Sequence, residues 1–390
     1  MSIKNIKEIT PPIETFANIK VVGVGGSGNS AINRMVKSKI RGVEFIAINT
    51  DAQALHHSIA PNKVHIGRET TKGLGAGMDP ELGTKSAEEN EQDILKSLEG
   101  ANMVFITCGL GGGTGSGAAP IIADIARELD ALTVAVVTKP FTFEGLQRKE
   151  IAERSFDNLI DKVDAVITIP NDRLLQIIDK KTSLLEAFSI VDEVLKQGVQ
   201  GISEVITVPG LINVDFADIK AIMSQAGSAL MGIGTASGEN RAIEAAKAAI
   251  NSPLLELNIN GATGVLFTIS GSPDLTMFEV NEVAEIITAA CDPDAKIIFG
   301  AVIDEDLKDD IKVTVIATGF REINKDKLES SVTQPIISNH EAFAKKAEDR
   351  TIKKAFKKEI KEEKPIDISK SKEEEELDMP TFLRNKMKNR

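Results

Sequence analysis

The residues best suited to chemistry form a glycine-rich stretch at residues 108–120, CGLGGGTGSGAAP. An apolar run, 103–107, precedes it, and a segment with helical spacing, 121–129, follows. Gly112, Gly113, Thr114 and Gly115 belong to a loop whose N–H groups few side chains cover, and the next helix adds free N–H groups and its positive dipole end. A mobile turn is the alternative, but such turns seldom separate a buried strand from a helix. The pattern favours a phosphate site.

A second glycine turn lies near the start of the chain. The β-branched run 19–24 leads into GVGGSGN, and apolar residues at helical spacing follow over 29–37. The same order of strand, turn and helix predicts a second anion cradle. Its candidate residues are Gly25, Gly26, Ser27, Gly28 and Asn29.

This second turn leaves two interpretations open. Gly23, Gly25 and Gly28 satisfy the dinucleotide fingerprint G-x-G-x-x-G, and Asp51 follows the next strand where a ribose-binding acid would stand. A dinucleotide-dependent oxidoreductase is therefore the alternative function. One pyrophosphate needs only one helix N-terminus, however, so two cradles favour a longer phosphate chain. Neither loop contains Lys or Arg, so amides, helix dipoles and a bound Mg²⁺ would balance the phosphate charge; no side chain is assigned as a metal ligand.

Three polar residues further along suit the sugar and phosphates of a nucleotide. Glu144 and Arg148 are four residues apart, a spacing that most often gives a solvated ion pair on a helix. Beside a nucleotide, the carboxylate can accept from ribose hydroxyls and the guanidinium can meet phosphate or stack on the base. Asn171 follows the strand 165–169, at the carboxyl end where open α/β sheets bind ligands.

The longest helical pattern, residues 183–207, carries candidates for base recognition. Phe188 and Asp192 are four residues apart and share one face near its start. An ionised carboxylate only accepts hydrogen bonds, so Asp192 suits the N1–H and 2-amino donors of guanine and repels the N1 acceptor of adenine. Phe188 can stack on the ring. A core Phe beside an exposed Asp is the simpler alternative.

An acidic segment follows that helix. Asn213, Asp215 and Asp218 lie in LINVDFADIK, where Asp215 and Asp218 could simply begin a helix as a cap and capping box. The functional interpretation is that the three orient and polarise a water molecule. About 23 helical residues separate the two ends of the long helix by roughly 35 Å. Catalytic acids there would serve a nucleotide on a neighbouring subunit, and such a head-to-tail contact propagates into a filament.

The elements that must position these residues indicate an α/β fold. Alternating strands and helices over 18–182 predict a doubly wound, mostly parallel sheet, joined by the long helix 183–207 to a smaller α+β domain at 208–323. The second domain is predicted from helices at 216–231, 242–250 and 277–290, and from strands at 264–269, 297–302 and 313–318. Residues 1–17 are predicted to form a polar extension.

Composition narrows the class of protein. The 390 residues carry a net charge of −12 and no Trp or Tyr, which disfavours nucleic acid as a partner. Cys108 and Cys291 do not suggest a disulfide framework, and the first residues lack the apolar core of a signal peptide, so we expect a cytoplasmic protein. The uncharged stretch 100–123 is too rich in glycine for a membrane span.

The end of the chain has a different composition. Residues 324–376 are dominated by Lys and Glu and predict a disordered linker. Apolar residues return among basic ones at 377–390, LDMPTFLRNKMKNR. A frayed terminus is one interpretation; a docking peptide after a long polar tether is the other, and we favour it.

Taken together, these motifs resemble the tubulin/FtsZ family, most closely its bacterial cell-division branch, over residues 18–320 and 378–384. The motifs are VVGVGGSGN, GGGTGSGAAP, KPFTFEG, IPNDRLL, NVDFADIK and DMPTFLR. GGGTGSG is the tubulin-type signature. Ser27 and Ser30 stand where many relatives have Gly and Asn, and both are small enough to let phosphate approach.

The resemblance implies GTP/GDP binding at the two glycine loops and at Glu144, Arg148, Phe188 and Asp192. It also implies hydrolysis assisted by the next subunit's Asn213, Asp215 and Asp218, in a homopolymer that forms the division ring at mid-cell beneath the inner membrane. In that family the tail peptide, here Asp378 to Arg384, docks onto membrane-tethering adaptors and regulators, without insertion of the chain into the membrane. A non-hydrolysing, nucleotide-gated scaffold is a further alternative, which would assemble with GTP but release no phosphate.

Overall fold

The computed structural model describes residues 17–175, 181–208, 210–252, 255, 259, 261–304 and 307–320. Its strands are β1 (Ile19–Val24), β2 (Val43–Asn49), β3 (Asn62–His65), β4 (Met103–Gly109), β5 (Leu132–Lys139), β6 (Ala165–Pro170), β7 (Gly227–Ser237), β8 (Gly264–Gly271), β9 (Lys296–Ile303) and β10 (Asp310–Thr318). Its α-helices are α1 (Gly25–Lys37), α2 (Ala52–His57), α3 (Pro80–Glu89), α4 (Glu91–Leu98), α5 (Thr114–Glu128), α6 (Leu146–Ile160), α7 (Asn171–Leu174), α8 (Leu184–Thr207), α9 (Phe216–Met223), α10 (Arg241–Ile250) and α11 (Met277–Ala289). A 3-10 turn covers Thr142–Glu144.

The strands form one ten-stranded sheet in the order β3-β2-β1-β4-β5-β6-β7-β10-β8-β9. From β3 to β6 every pairing is parallel, as a doubly wound α/β sheet requires. β1 pairs with β2 on one side and with β4 on the other, so the direction of winding reverses between β1 and β4. The carboxyl ends of these two strands flank the crevice where such sheets bind ligands, and both glycine loops begin there.

Helices cover both faces of the parallel part of the sheet. All six β1 residues are buried, as expected for a strand covered on two sides. Five of them are apolar or glycine, and the buried Lys20 donates from Nζ to Ser97 O at 2.8 Å. One buried cluster joins the sheet to α1 and α8, and a second joins it to α4, α5 and α6. The α/β prediction for this part of the chain is confirmed.

The long helix α8 has the predicted extent. Ser183 Oγ accepts from the N–H of Glu186 at 3.2 Å, and a Glu186 carboxylate oxygen accepts from the N–H of Ser183 at 2.8 Å, which fixes the first turn. Leu195, Val199 and Ile202 are fully buried on its inner face. Its 24 residues span about 36 Å.

The second half of the sheet contains the one predicted element that is wrong. We expected a helix over 216–231, but α9 ends at Met223 and β7 begins at Gly227. Gln225 and Gly227 have φ values of +52° and +66°, which turn the chain out of the helix. A Cβ on Gly232 would lie 2.1 Å from Ala249 O, so glycine is needed for α10 to pack directly on β7.

The remaining helices and strands predicted for this α+β part are present. β10 pairs antiparallel with β7 and β8, β8 pairs parallel with β9, and α10 and α11 cover one face. A short parallel contact between β6 and β7 joins the two halves of the sheet. Among the described residues no helix is long and apolar enough to cross a membrane. Almost all of the N-terminal extension, the linker 324–376 and the peptide 377–390 lie outside the described residues.

Candidate functional site: a nucleotide-sized cleft and a remote acidic loop

A cleft of about 570 Å³ opens at the carboxyl ends of β1 and β4. The structure brings twelve predicted residues together around it: Gly25, Gly26, Ser27, Gly112, Gly113, Thr114, Gly115, Glu144, Arg148, Asn171, Phe188 and Asp192. Ser30, which replaces a residue common in relatives, also lines it. Predicted residues from five separate segments therefore converge on one cavity.

The loop before α5 offers fewer free amides than its glycine content suggests. Gly111 N donates to Ser116 Oγ at 2.9 Å, and Gly113 N donates to Gly77 O at 3.0 Å. Two of the loop's amides are therefore already paired within the chain. The N–H groups of Thr114 and Gly115 belong to the first turn of α5, which has no intrahelical acceptor for them, and both residues line the cleft. The helix N-terminus, more than the loop, is therefore the candidate anion cradle.

The turn before α1 brings the second cradle against the first. Gly25 has φ +73°, which favours glycine, and a Cβ there would lie 3.1 Å from Gly115 N. Gly28 does not line the cleft; a Cβ on it would lie 2.4 Å from Thr107 O, so its role is close packing of α1 on β4. Two of the fingerprint glycines, Gly23 and Gly28, thus serve the fold.

Asn29 is also behind the cleft wall. It is 3% exposed. In the amide orientation that satisfies its neighbours, its nitrogen donates to Gly23 O at 2.8 Å and to Gly25 O at 3.3 Å, and its oxygen accepts from Asn49 at 3.1 Å. Asn29 therefore fixes the shape of the first glycine turn rather than lining the cavity.

Asp51 does not support the dinucleotide alternative. Its carboxylate accepts from the N–H groups of Gln53 and Ala54, both at 2.9 Å, and so caps α2. It does not line the cleft. The acid expected to hold a ribose is occupied by helix capping.

Glu144 and Arg148 are paired at 3.0 Å, but they do not share a helix. Glu144 ends the 3-10 turn, Gly145 has φ +100°, and α6 begins afterwards. The pair is at the cleft wall with Asn171, which is 5% exposed and whose Oδ1 has no hydrogen-bond partner within the described part of the chain. A buried, unsatisfied amide oxygen in a cleft is an acceptor open to a ligand.

Sequence reasoning missed part of the wall. Thr138 and Pro140 line the cleft, and Thr138 O holds Leu110 N at 2.9 Å. Their position after a buried strand was a usable signal, because β5 ends at the same edge as β4. Gly77 lines the cleft through its contact with Gly113. No local pattern in the sequence specifies that hydrogen bond.

The start of α8 forms the other end of the cleft. Phe188 is 40% exposed and meets Phe141 edge-on, with ring centroids 5.7 Å apart. Burial raises the pKa of Asp192 to about 6, partly offset by Arg34, whose Nε lies 4.0 Å from Asp192 Oδ2. A partly exposed ring beside a desolvated carboxylate suits a planar base with a donor edge.

The acidic loop lies at the opposite end of α8. Leu211 N and Ile212 N both reach Ala301 O, at 2.8 and 3.3 Å, which ties the loop to β9. Asp215 precedes α9 but makes no side-chain cap, so helix capping does not explain it. From Asp192 to the end of α8 is about 22 Å, so the structure does not bring these acids to the cleft of their own chain.

Asn213, Asp215 and Asp218 are all exposed. Asn213 Oδ1 accepts from Gly210 N at 2.7 Å and shapes the turn. Among the described residues, the carboxylates of Asp215 and Asp218 have neither a hydrogen-bond nor an ion-pair partner.

Comparisons with known proteins place this geometry in a family. Residues 18–179 match the model of the Tubulin/FtsZ family, GTPase domain, and residues 227–321 match that of the FtsZ family, C-terminal domain. An FtsZ dimer from M. jannaschii is 47% identical, with a TM-score of 0.76 over 78% of this chain and 89% of that one. CetZ1 and CetZ2 from Haloferax volcanii, each 21% identical, have TM-scores of 0.69 and 0.67 over 81% and 84% of this chain and 98% and 99% of theirs, a likeness of fold. The chain belongs to the tubulin/FtsZ family.

Proposed function

We propose that this protein is a GTPase that assembles head-to-tail into filaments, with each active site shared between two subunits. The cleft supplies nucleotide binding: helix N-termini face the phosphates, and Phe188 and Asp192 face guanine. The acidic loop of the next subunit supplies the water-orienting groups. GTP is hydrolysed to GDP and phosphate only where two subunits meet.

The observation that carries this proposal is the separation of two incomplete sites. Asp215 and Asp218 are exposed and lack partners among the described residues, yet α8 holds them more than 20 Å from the cleft. Free carboxylates beside a turn-forming amide can orient and deprotonate water. They can act on the nucleotide only of another molecule.

Exposed apolar residues at both ends of the molecule support a longitudinal contact. Phe143 and Leu146, beside the cleft wall, are 63% and 71% exposed. At the other end, Leu211 precedes the acidic loop, and Met277 and Phe278 begin α11 after the carboxyl end of β8; they are 65%, 77% and 82% exposed. Different surfaces facing each other give a heterologous contact that propagates. The related FtsZ from M. jannaschii was solved as a dimer.

The residues present fit a nucleotide that carries its own Mg²⁺. Among the described residues no group of three or more His, Cys, Asp or Glu side chains is placed to hold a metal. The cleft instead offers the Ser27 hydroxyl and the unpaired amide oxygen of Asn171, while the Thr114 hydroxyl is hydrogen-bonded to that of Thr50 at 2.7 Å. Mg²⁺ bound mainly by phosphates and water is compatible with this wall. When bound, it would neutralise phosphate charge that no Lys or Arg in the glycine loops meets.

Membership of the tubulin/FtsZ family supports a proposal for the cellular role. We propose that the filaments form the division ring at mid-cell, in the cytoplasm beneath the membrane, and that residues 378–384 bind membrane-tethering adaptors and regulators. The domain limits are proposed as 18–182 for GTP binding, 183–207 for the connecting helix and 208–323 for the second domain.

The test is GTP hydrolysis per subunit as a function of protein concentration, with Mg²⁺ present. We expect negligible activity when dilute and a rise above a threshold. Asp218→Ala should abolish hydrolysis while GTP binding persists, and Asp157→Ala, an exposed acid on α6, should change neither. Activity independent of concentration would contradict the shared site. Assembly with GTP but without phosphate release by the wild type would indicate a non-hydrolysing scaffold.

A further inference from the structure

Arg34 approaches the base end of the cleft from α1. It lies nine residues after Gly25, about 14 Å along the helix whose first turn faces the phosphate end. Its Nε is 4.0 Å from Asp192 Oδ2, and the two side chains are 33% and 18% exposed. One helix therefore contributes both to the phosphate cradle and to the surroundings of the base-reading carboxylate.

The Arg34–Asp192 contact is unusual because it is close without being a hydrogen bond. Arg34 Nε is buried and has no hydrogen-bond partner in the described part of the chain. A buried donor without a partner carries a desolvation cost. The guanidinium is thus held beside Asp192, where its positive charge favours the ionised carboxylate against the opposing effect of burial.

Ionisation of Asp192 decides which base can bind. The carboxylate accepts from both N1–H and the 2-amino group of guanine, whereas the protonated acid carries a donor of its own and loses an acceptor. We propose that Arg34 is a positioning residue for guanine recognition, which keeps Asp192 ionised and directed towards the cleft. This inference rests on the proposed nucleotide-binding function.

The other charged groups near Asp192 are already paired. Glu144 and Arg148, across the cleft, bind each other at 3.0 Å. Lys196, one turn further along α8, binds Glu193 at 2.5 Å. On α8 itself, Phe188 and Val191 complete the cleft wall without charge. Arg34 on α1 is the cation whose charge acts on Asp192.

The test is equilibrium binding of GTP and of ITP, which lacks the 2-amino group, to the nucleotide-free full chain at pH 6 and pH 8. Calorimetry below the assembly concentration avoids coupling to filaments. The variants are Arg34→Met, Arg34→Lys and the matched control Lys37→Met, which removes an exposed charge from the same helix. Thermal unfolding of each variant verifies its fold.

We take the loss of the Arg34 charge to raise the proton affinity of Asp192 about tenfold. Arg34→Met should then weaken GTP binding about fivefold at pH 6 and less than twofold at pH 8. The preference for GTP over ITP should fall with it at pH 6. Arg34→Lys, which retains the charge, should bind within about twofold of wild type and keeps the test valid where the Met variant unfolds.

An equal loss at both pH values, or no loss, would overturn the role of Arg34. If the wild type binds neither nucleotide, the proposed function itself fails, which is a separate result.

Discussion

Replacing Asp192 with Asn should stabilise the nucleotide-free protein while weakening its binding of GTP. Burial raises the pKa of Asp192 from 3.8 to about 6. Between these two values the folded state binds a proton that the unfolded state has released, so stability falls as pH rises through the window and the loss persists above pH 6. At about 1.4 kcal/mol for each tenfold change in proton affinity, the ionised carboxylate costs the fold about 3 kcal/mol at pH 7.5.

The assay is urea unfolding of nucleotide-free wild type and Asp192→Asn at pH 7.5 and pH 5. We expect the variant to be more stable by as much as about 3 kcal/mol at pH 7.5 and by about half that at pH 5. Asp157→Asn, an exposed matched change on α6, should show no such difference. Equal stabilities at pH 7.5, or a difference that does not vary with pH, would refute the claim that Asp192 is held in a desolvated position.

Three further outcomes follow from the site. Gly117→Ala should lower the free energy of unfolding in urea by about 1–3 kcal/mol, because its Cβ would lie 2.0 Å from a carbonyl oxygen of α3. A Cβ on Gly112 would have no atom within 4 Å, so Gly112→Ala should keep this stability but weaken nucleotide binding in calorimetry. Phe188→Ala should weaken GTP and ITP equally, by about 1–3 kcal/mol each, since stacking does not read the base edge. Phe278→Glu should raise the protein concentration needed for sedimentable filaments and leave GTP binding unchanged.

The parts of the fold set by local pattern were predictable. The glycine turns lie between apolar strands and helical patterns, so their position at the edge of a parallel sheet followed from the sequence alone. The apolar period of α8 also specified its length within a residue at its start. These features depend on neighbours along the chain, which a sequence displays directly.

The features that escaped prediction depend on contacts between distant segments. Leu230 and Met231 extend the apolar spacing of α9, and only the positive φ at Gln225 and Gly227 moves them into a strand. The Gly113 N–H donates to Gly77 O, and no spacing of residues in the sequence predicts this hydrogen bond. Likewise, the sequence pattern of α1 predicts that Arg34 is a surface residue of an amphipathic helix. Only the packing of α8 beside α1 brings it next to Asp192.

The energetics of Asp192 connect nucleotide binding to the stability of the empty protein. In the proposed complex, guanine would donate two hydrogen bonds to Asp192 and so offset an ionised carboxylate that costs the fold about 3 kcal/mol. Ligand at a hundred times its dissociation constant stabilises the folded state by about 2.7 kcal/mol, a gain of the same size. Asp192 and the acidic loop are joined by the helix α8. The helix that would contact the base near its start is therefore also the helix that positions the acids proposed to act on the next subunit. Occupancy of one cleft is therefore expected to favour the folded, correctly spaced form that a neighbour can join.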